Sequence, residues 1–150
     1  VEDNGAGAGA GANINIPLPP GGGIGPYGLA FRDVVLPALD RFRPDMIIVA
    51  SGLDANRYDI NARMNLCSRD YADLTRRLMD AADRHCGGRW LALAGGGYEP
   101  CSVPPRAWAL LLAEMAGEHQ LRRVLGPVSL TALGIGCIIG VSTSRKPRLR

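Results

Sequence analysis

Two short, unbroken apolar runs constrain this chain more than any other feature. One covers residues 46–50 (Met46, Ile47, Ile48, Val49, Ala50) and the other residues 90–94 (Trp90, Leu91, Ala92, Leu93, Ala94). Each is bounded by turn formers, with Pro44 before the first, Gly87-Gly88 before the second and Gly95-Gly96-Gly97 after it. Runs of this length without polar alternation suit strands of a parallel sheet buried on both faces. Around them, apolar residues recur at helical spacing. Over residues 27–42, Phe31, Val34, Val35, Ala38, Leu39 and Phe42 share one face, with a kink or late start expected at Pro37 and a stop at Pro44. A second helix, capped by Ser68 or Asp70, places Tyr71, Leu74, Leu78, Ala81 and Ala82 together and ends at Gly87-Gly88. A third, over residues 106–115, is opened by Pro104 and Pro105. The order helix, strand, helix, strand, helix predicts an α/β layer with right-handed crossovers. Two strands cannot bury helices on both faces, so this layer reads as the end of a larger domain that begins in mid-loop.

The rest of the chain narrows the alternatives. Residues 5–12 alternate Gly and Ala and satisfy a loose dinucleotide fingerprint, but Val1–Asn4 stand where a strand is needed and Asn13-Ile14-Asn15-Ile16-Pro17 where a helix is needed. Residues 13–16 read as a short extended segment, and Pro17 to Gly23 as a loop. The net charge of +3 is uneven: residues 118–150 carry Arg122, Arg123, Arg145, Lys146, Arg148 and Arg150 against Glu118 alone. The basic excess therefore belongs to the tail. Two pieces, 1–117 and 118–150, join near Gly117. The basic end has no interleaved aromatics, so no nucleic-acid partner is expected. The cysteines at 67, 86, 101 and 137 lack the tight spacing of a zinc ribbon or redox pair, and a cytoplasmic setting with free thiols is expected.

Ligands of open α/β folds gather at the carboxyl ends of the strands, which here are residues 51–56 and 95–98. Asp54 lies just past the first apolar run among small neighbours. Its carboxylate is either a hard oxygen ligand or general base, or the cap of a helix or turn. Tyr98 follows three glycines that allow close backbone approach. Its phenol is either a hydrogen-bond donor to a ligand or an exposed loop side chain.

Four motifs in order carry a resemblance: Asn13-Ile14-Asn15-Ile16-Pro17-Leu18-Pro19-Pro20-Gly21, then Val34-Val35-Leu36-Pro37-Ala38-Leu39 through Phe42-Arg43-Pro44-Asp45, then Ser51-Gly52-Leu53-Asp54-Ala55-Asn56 with Asp59, and Gly95-Gly96-Gly97-Tyr98. Together they resemble the C-terminal half of the zinc-dependent deacetylases, which include histone deacetylases, acetylpolyamine amidohydrolases and acetoin-utilisation proteins. The earlier motifs are most similar to bacterial class II histone deacetylase-like proteins, and the Gly-Gly-Gly-Tyr segment with Val103 to Trp108 to the acetoin-utilisation branch. The resemblance implies an arginase-like parallel sheet with flanking helices and hydrolysis of an acetyl-amide, with acetyl-lysine or an acetylated small molecule such as an acetylpolyamine as substrate. It implies that Asp54 is one zinc ligand, that Tyr98 binds the substrate carbonyl as it becomes an oxyanion, and that Gly96 and Gly97 line the substrate. Asp59 matches a family aspartate expected to hold its loop, although Ile60 stands where the family usually has proline.

The family's other zinc ligands, an Asp and a His, and its adjacent His-His base have no counterpart in this chain. Its only histidines are His85, expected to cap or edge a helix end, and His119 near the junction. A catalytic zinc site uses three protein ligands, so the chain alone is expected to bind zinc weakly and to lack turnover. Residues 121–140 resemble the start of the first transmembrane helix of amino-acid permeases. Residues 124–144 carry no charge, near the length of a bilayer span, but Gly126-Pro127 and Ser142-Thr143-Ser144 weaken both ends. The tail reads either as a stray apolar extension or as a membrane-associated segment, the rival to the enzyme reading. Salt-sensitive peripheral contact with anionic membranes, or aggregation, is expected rather than insertion.

Overall fold

The computed structural model describes residues 3–118. Six regular elements follow in order: α1 (Ile24–Ala30), α2 (Leu36–Phe42), β1 (Ile47–Gly52), α3 (Ser68–Cys86), β2 (Trp90–Gly95) and α4 (Val103–Glu118). The strands pair in parallel, with Ile47 opposite Trp90 and Gly52 opposite Gly95. The expected alternation and parallel pairing are therefore present.

The first helical stretch is longer and less regular than its apolar spacing predicts. It starts at Ile24, and a π-helical turn (Phe31–Val35) separates α1 from α2. Pro37 lies just beyond that turn. Its missing N–H would leave an α-helical hydrogen bond unmade, and a widened turn absorbs the interruption without a break. Arg43 then enters the left-handed region at φ 52° and donates its N–H to the Leu39 carbonyl at 2.8 Å, closing α2 before Pro44.

Neither Ser68 nor Asp70 is the cap of α3. The cap is Cys67, whose thiol accepts the N–H of Asp70 while the Asp70 carboxylate accepts the Cys67 N–H at 2.7 Å. This is a reciprocal capping box with sulfur in the usual hydroxyl position. The buried face of α3 holds Tyr71, Ala72, Leu74, Thr75, Met79, Ala81, Ala82 and Cys86, and Leu78 is only half-buried. Gly87 ends the helix in the left-handed region at φ 59°. His85, in the last turn, reaches across to α2 and meets the Asp40 carboxylate at 2.7 Å. The α4 helix begins at Val103, earlier than expected, because the Glu99 carboxylate accepts the N–H groups of Ser102 and Val103 ahead of Pro104 and Pro105.

Two apolar clusters hold these elements. One joins Leu53, Ala55 and Leu66 to Tyr71 and Leu74 of α3 and to Val103, Ala107 and Leu111 of α4, with Tyr27 and Phe31 packed against it. The other sets Ile47, Val49 and Trp90 of the sheet against Leu36, Leu39, Ala81, Ala82 and Cys86. A bidentate pair between Arg76 and Glu114, at 3.1 and 2.7 Å, ties α3 to α4 at the rim. Leu111 is 2% exposed at the α3–α4 contact. Leu111→Ala is expected to cost about 2–5 kcal/mol, read as a lower urea midpoint at unchanged slope.

Burial on both sheet faces is not what the described residues provide. Alternate side chains Ile48, Leu91 and Leu93 lie on the face opposite the helices and remain 56%, 38% and 36% exposed. The expected extended segment at 13–16 joins no ladder, and the apolar stretch at 124–144 lies outside the described residues. Among the described residues, no helix is long and apolar enough to cross a membrane.

Candidate active site

The two loops that leave the carboxyl ends of β1 and β2 come together, as the parallel pairing requires. After β1 the chain makes a 3-10 turn over Leu53–Ala55. Leu53 is fully buried, which anchors the turn from below. Its carbonyl accepts the buried Tyr71 hydroxyl at 3.0 Å. Burial raises the Tyr71 phenol well above its ordinary value, and the negative charges of Asp54, Asp59 and Asp70 and the neighbouring Tyr27 add to the effect. The proton therefore stays on the donor. Tyr71→Phe is expected to destabilise the fold by about 0.5–1.5 kcal/mol, measured by denaturant titration, because it removes one buried hydrogen bond while the Leu53 carbonyl keeps the Asn56 N–H at 3.2 Å.

Asp54 sits in this turn, half-buried. No side-chain bond caps the turn. Among the described residues no hydrogen bond or ion pair engages the Asp54 carboxylate, so the turn-cap alternative is not realised. Glycines surround it. A Cβ added at Gly96 would stand 2.7 Å from both Cγ and Oδ1 of Asp54, and one at Gly52 would stand 2.9 Å from Oδ1. The charge is felt nearby: burial raises the Tyr27 phenol above its ordinary value, and Asp54 adds to the shift.

The β2 loop supplies the other face. Gly96 and Gly97 both take positive φ, +57° and +92°, and Gly97 lies against Leu53 and Pro104 so closely that a Cβ would come within 3.0 Å of the Leu53 side chain. Glycine is needed at these two positions for the loop to close onto the turn. Tyr98 follows, 51% exposed. Its backbone N–H donates to the Asp59 carboxylate at 2.5 Å, while the same carboxylate accepts the Asn61 N–H at 2.9 Å. Asp59 is thus not confined to holding its own loop. Burial opposes its charge, but the N–H groups of Asn61, Tyr98, Ala62 and Glu99 outweigh burial and hold its carboxyl below the ordinary aspartate range.

The geometry therefore brings Asp54 and Gly96 into contact and places Tyr98 two residues farther along the same loop. It does not complete a metal site: among the described residues, no group of three His, Cys, Asp or Glu side chains is placed to hold an ion. His85 is committed to Asp40, on the side of α3 that faces α2. A cavity of about 260 Å³ is lined by Asn56, Tyr58, Ser68, Ser102, Val103 and Arg106, and neither Asp54 nor Tyr98 borders it.

Comparison with known families matches residues 1–115 to the histone deacetylase domain. The chain belongs to the histone deacetylase family. It is 50% identical over 104 residues to the histone deacetylase-like amidohydrolase of Pseudomonas aeruginosa, covering 69% of this chain and 27% of that protein. It is 38% identical over 88 residues to the acetoin utilization protein AcuC of Bacillus subtilis, covering 59% of this chain and 23% of that one. Among solved structures, the HD domain of HDA15 superimposes with a TM-score of 0.68 at 32% identity, over 76% of this chain and 31% of that domain. The histone deacetylase Clr3 superimposes with a TM-score of 0.69 at 35% identity, over 77% of this chain and 19% of that protein. The chain thus spans about a quarter of the length of the curated relatives it matches. Within that span lie both strand ends, the Asp54 turn and the glycine loop.

Proposed function

We propose that this chain supplies the strand-end half of the active site of a zinc-dependent amidohydrolase that removes acetyl groups from amides, with acetyl-lysine or an acetylated small molecule such as an acetylpolyamine as substrate. The observation that carries this reading is the uncommitted Asp54 carboxylate, held in a glycine cradle at the carboxyl end of a parallel strand and against the loop that bears Tyr98. A carboxylate in that state fits the role of a hard oxygen ligand. Asp54 would be one ligand of the metal, and two more must come from residues outside those described. Bound zinc in such a site polarises a carbonyl and acidifies water. The Tyr98 phenol, half-exposed at the loop tip, is a donor for the carbonyl oxygen as negative charge develops on it. Gly96 and Gly97 leave backbone bare beside it for the acyl group.

The test is a chimera in which residues 1–115 replace the matching segment of the Pseudomonas amidohydrolase, compared with the 150-residue chain alone. The chimera should hold stoichiometric zinc and hydrolyse acetyl-lysine peptides or acetylpolyamines. The chain alone should do neither. A folded, zinc-loaded chimera without turnover would sink the proposal, as would tight zinc and turnover in the chain alone.

A further inference from the structure

We propose that Asp59 is the positioning residue for Tyr98: its buried carboxylate ties the loop after β1 to the loop after β2 and fixes the backbone from which the Tyr98 phenol is presented. The inference deepens the reading of Tyr98 as the carbonyl donor and rests on it.

Little else is placed to hold Tyr98. Three glycines precede it, and glycine loses more backbone freedom on ordering than any other residue. Its own side chain is half-exposed and is not part of either apolar cluster. On its far side, Glu99 is turned toward the start of α4, where it accepts the N–H groups of Ser102 and Val103. The cap fixes the residues after Tyr98 and the sheet fixes those before the glycines. Between them, the Asp59 contact at 2.5 Å is the lateral tie to the Tyr98 N–H.

Asp59 is suited to this task by charge and by valence. It is only 8% exposed. Among the described residues no Lys, Arg or His pairs with it, so its charge is met by backbone N–H groups on both loops: Asn61 and Ala62 on one, Tyr98 and Glu99 on the other. A carboxylate offers two oxygens and about four acceptor sites, whereas an asparagine amide offers one oxygen and turns its NH₂ donors toward the remaining N–H groups. The isosteric change Asp59→Asn therefore removes about half of the tie without removing volume. Asp59 lies five positions beyond Asp54 in the same loop, so one carboxylate also sets the distance between the two chemical groups of the site.

The experiment is amide NMR on the 150-residue chain. In the wild type, the Tyr98 N–H should resonate downfield and exchange slowly. In acid titration the Tyr98 and Asn61 amides should move together, with one midpoint below the ordinary aspartate range, a readout that needs no variant. In Asp59→Ala, which removes both oxygens, the Tyr98 and Glu99 amides should move upfield and exchange about tenfold faster or more, the scale of losing one hydrogen bond to a charged group. The Leu66 amide, bonded to the Ala55 carbonyl, and the Gly88 amide, bonded to Ala82, should keep their protection. Unchanged Tyr98 shift and exchange in Asp59→Ala, or Tyr98 and Asn61 amides that titrate apart in the wild type, would overturn the proposal. In the chimera, Asp59→Asn should lower kcat at unchanged KM and retained zinc, and should add no further loss to Tyr98→Phe. Additive losses would also overturn it. If Tyr98→Phe alone left turnover intact, the reading of Tyr98 would fail while the amide result stood by itself.

Discussion

In a domain-length protein carrying residues 1–115, Asp54→Ala is expected to remove bound zinc and amide hydrolysis together, whereas Tyr98→Phe keeps the metal and slows turnover about a hundredfold or more. The two outcomes differ because the two side chains stand differently in the fold. The Asp54 carboxylate has no hydrogen-bond partner among the described residues and lies between Gly52 and Gly96, so its loss leaves a gap where a ligand oxygen would be. Three protein ligands hold a catalytic zinc, and removing one of them leaves too few to retain it. Tyr98 is half-exposed on the loop after β2 and joins neither apolar cluster. Its removal takes one donor from the developing oxyanion and leaves the metal untouched. Metal content after dialysis, measured beside kcat for both variants, separates the roles. Equal metal loss in both would show that the division is wrong.

The parts of the fold that were legible in the sequence are those set by local periodicity and by turn residues. The two apolar runs gave parallel strands within two residues of their predicted ends, and Gly87 and Pro44 stopped their helices as expected. What the sequence concealed depends on atoms far apart in the chain. His85 meets Asp40 across 45 positions, and Asp59 meets Tyr98 across 39. No spacing rule brings either pair together before the helices and strand ends are placed. The Cys67 cap was hidden for a different reason. Ser68 and Asp70 are better cap residues by type, but the reciprocal bond between Cys67 and Asp70 puts the helix boundary one residue before Ser68. Legibility of the site followed the same division. Asp54 and Tyr98 were visible as polar residues at strand ends, while the approach of Asp54 to Gly96 was not, because it requires the register that sets Gly52 opposite Gly95. The open sheet face, with Ile48, Leu91 and Leu93 exposed, explains why the apolar runs overpredicted burial: a run apolar on both sides demands a layer on each face, and the described residues supply only one.

Gly96→Ala is the sharpest test of that contact because it leaves both chemical groups in place. Two costs combine. The backbone at Gly96 holds φ +57°, which an L-residue adopts at about 1–3 kcal/mol. The new Cβ would also lie 2.7 Å from Cγ and Oδ1 of Asp54 and 3.0 Å from Oδ2, so the carboxylate must swing away or the loop must lift, an overpacking cost of about 1–3 kcal/mol. Gly7→Ala isolates the first cost, since Gly7 has φ +55° and a Cβ added there would meet nothing within 4 Å. Gly7→Ala should therefore shift the urea midpoint by backbone strain alone. Gly96→Ala should shift it about twice as far, on the summed scale of strain and overpacking. In the domain-length protein, Gly96→Ala should also release zinc nearly as fully as Asp54→Ala does, because a displaced carboxylate is no ligand. Equal midpoints for the two glycine variants, with zinc retained in Gly96→Ala, would mean that the Asp54–Gly96 contact does not hold the carboxylate in place.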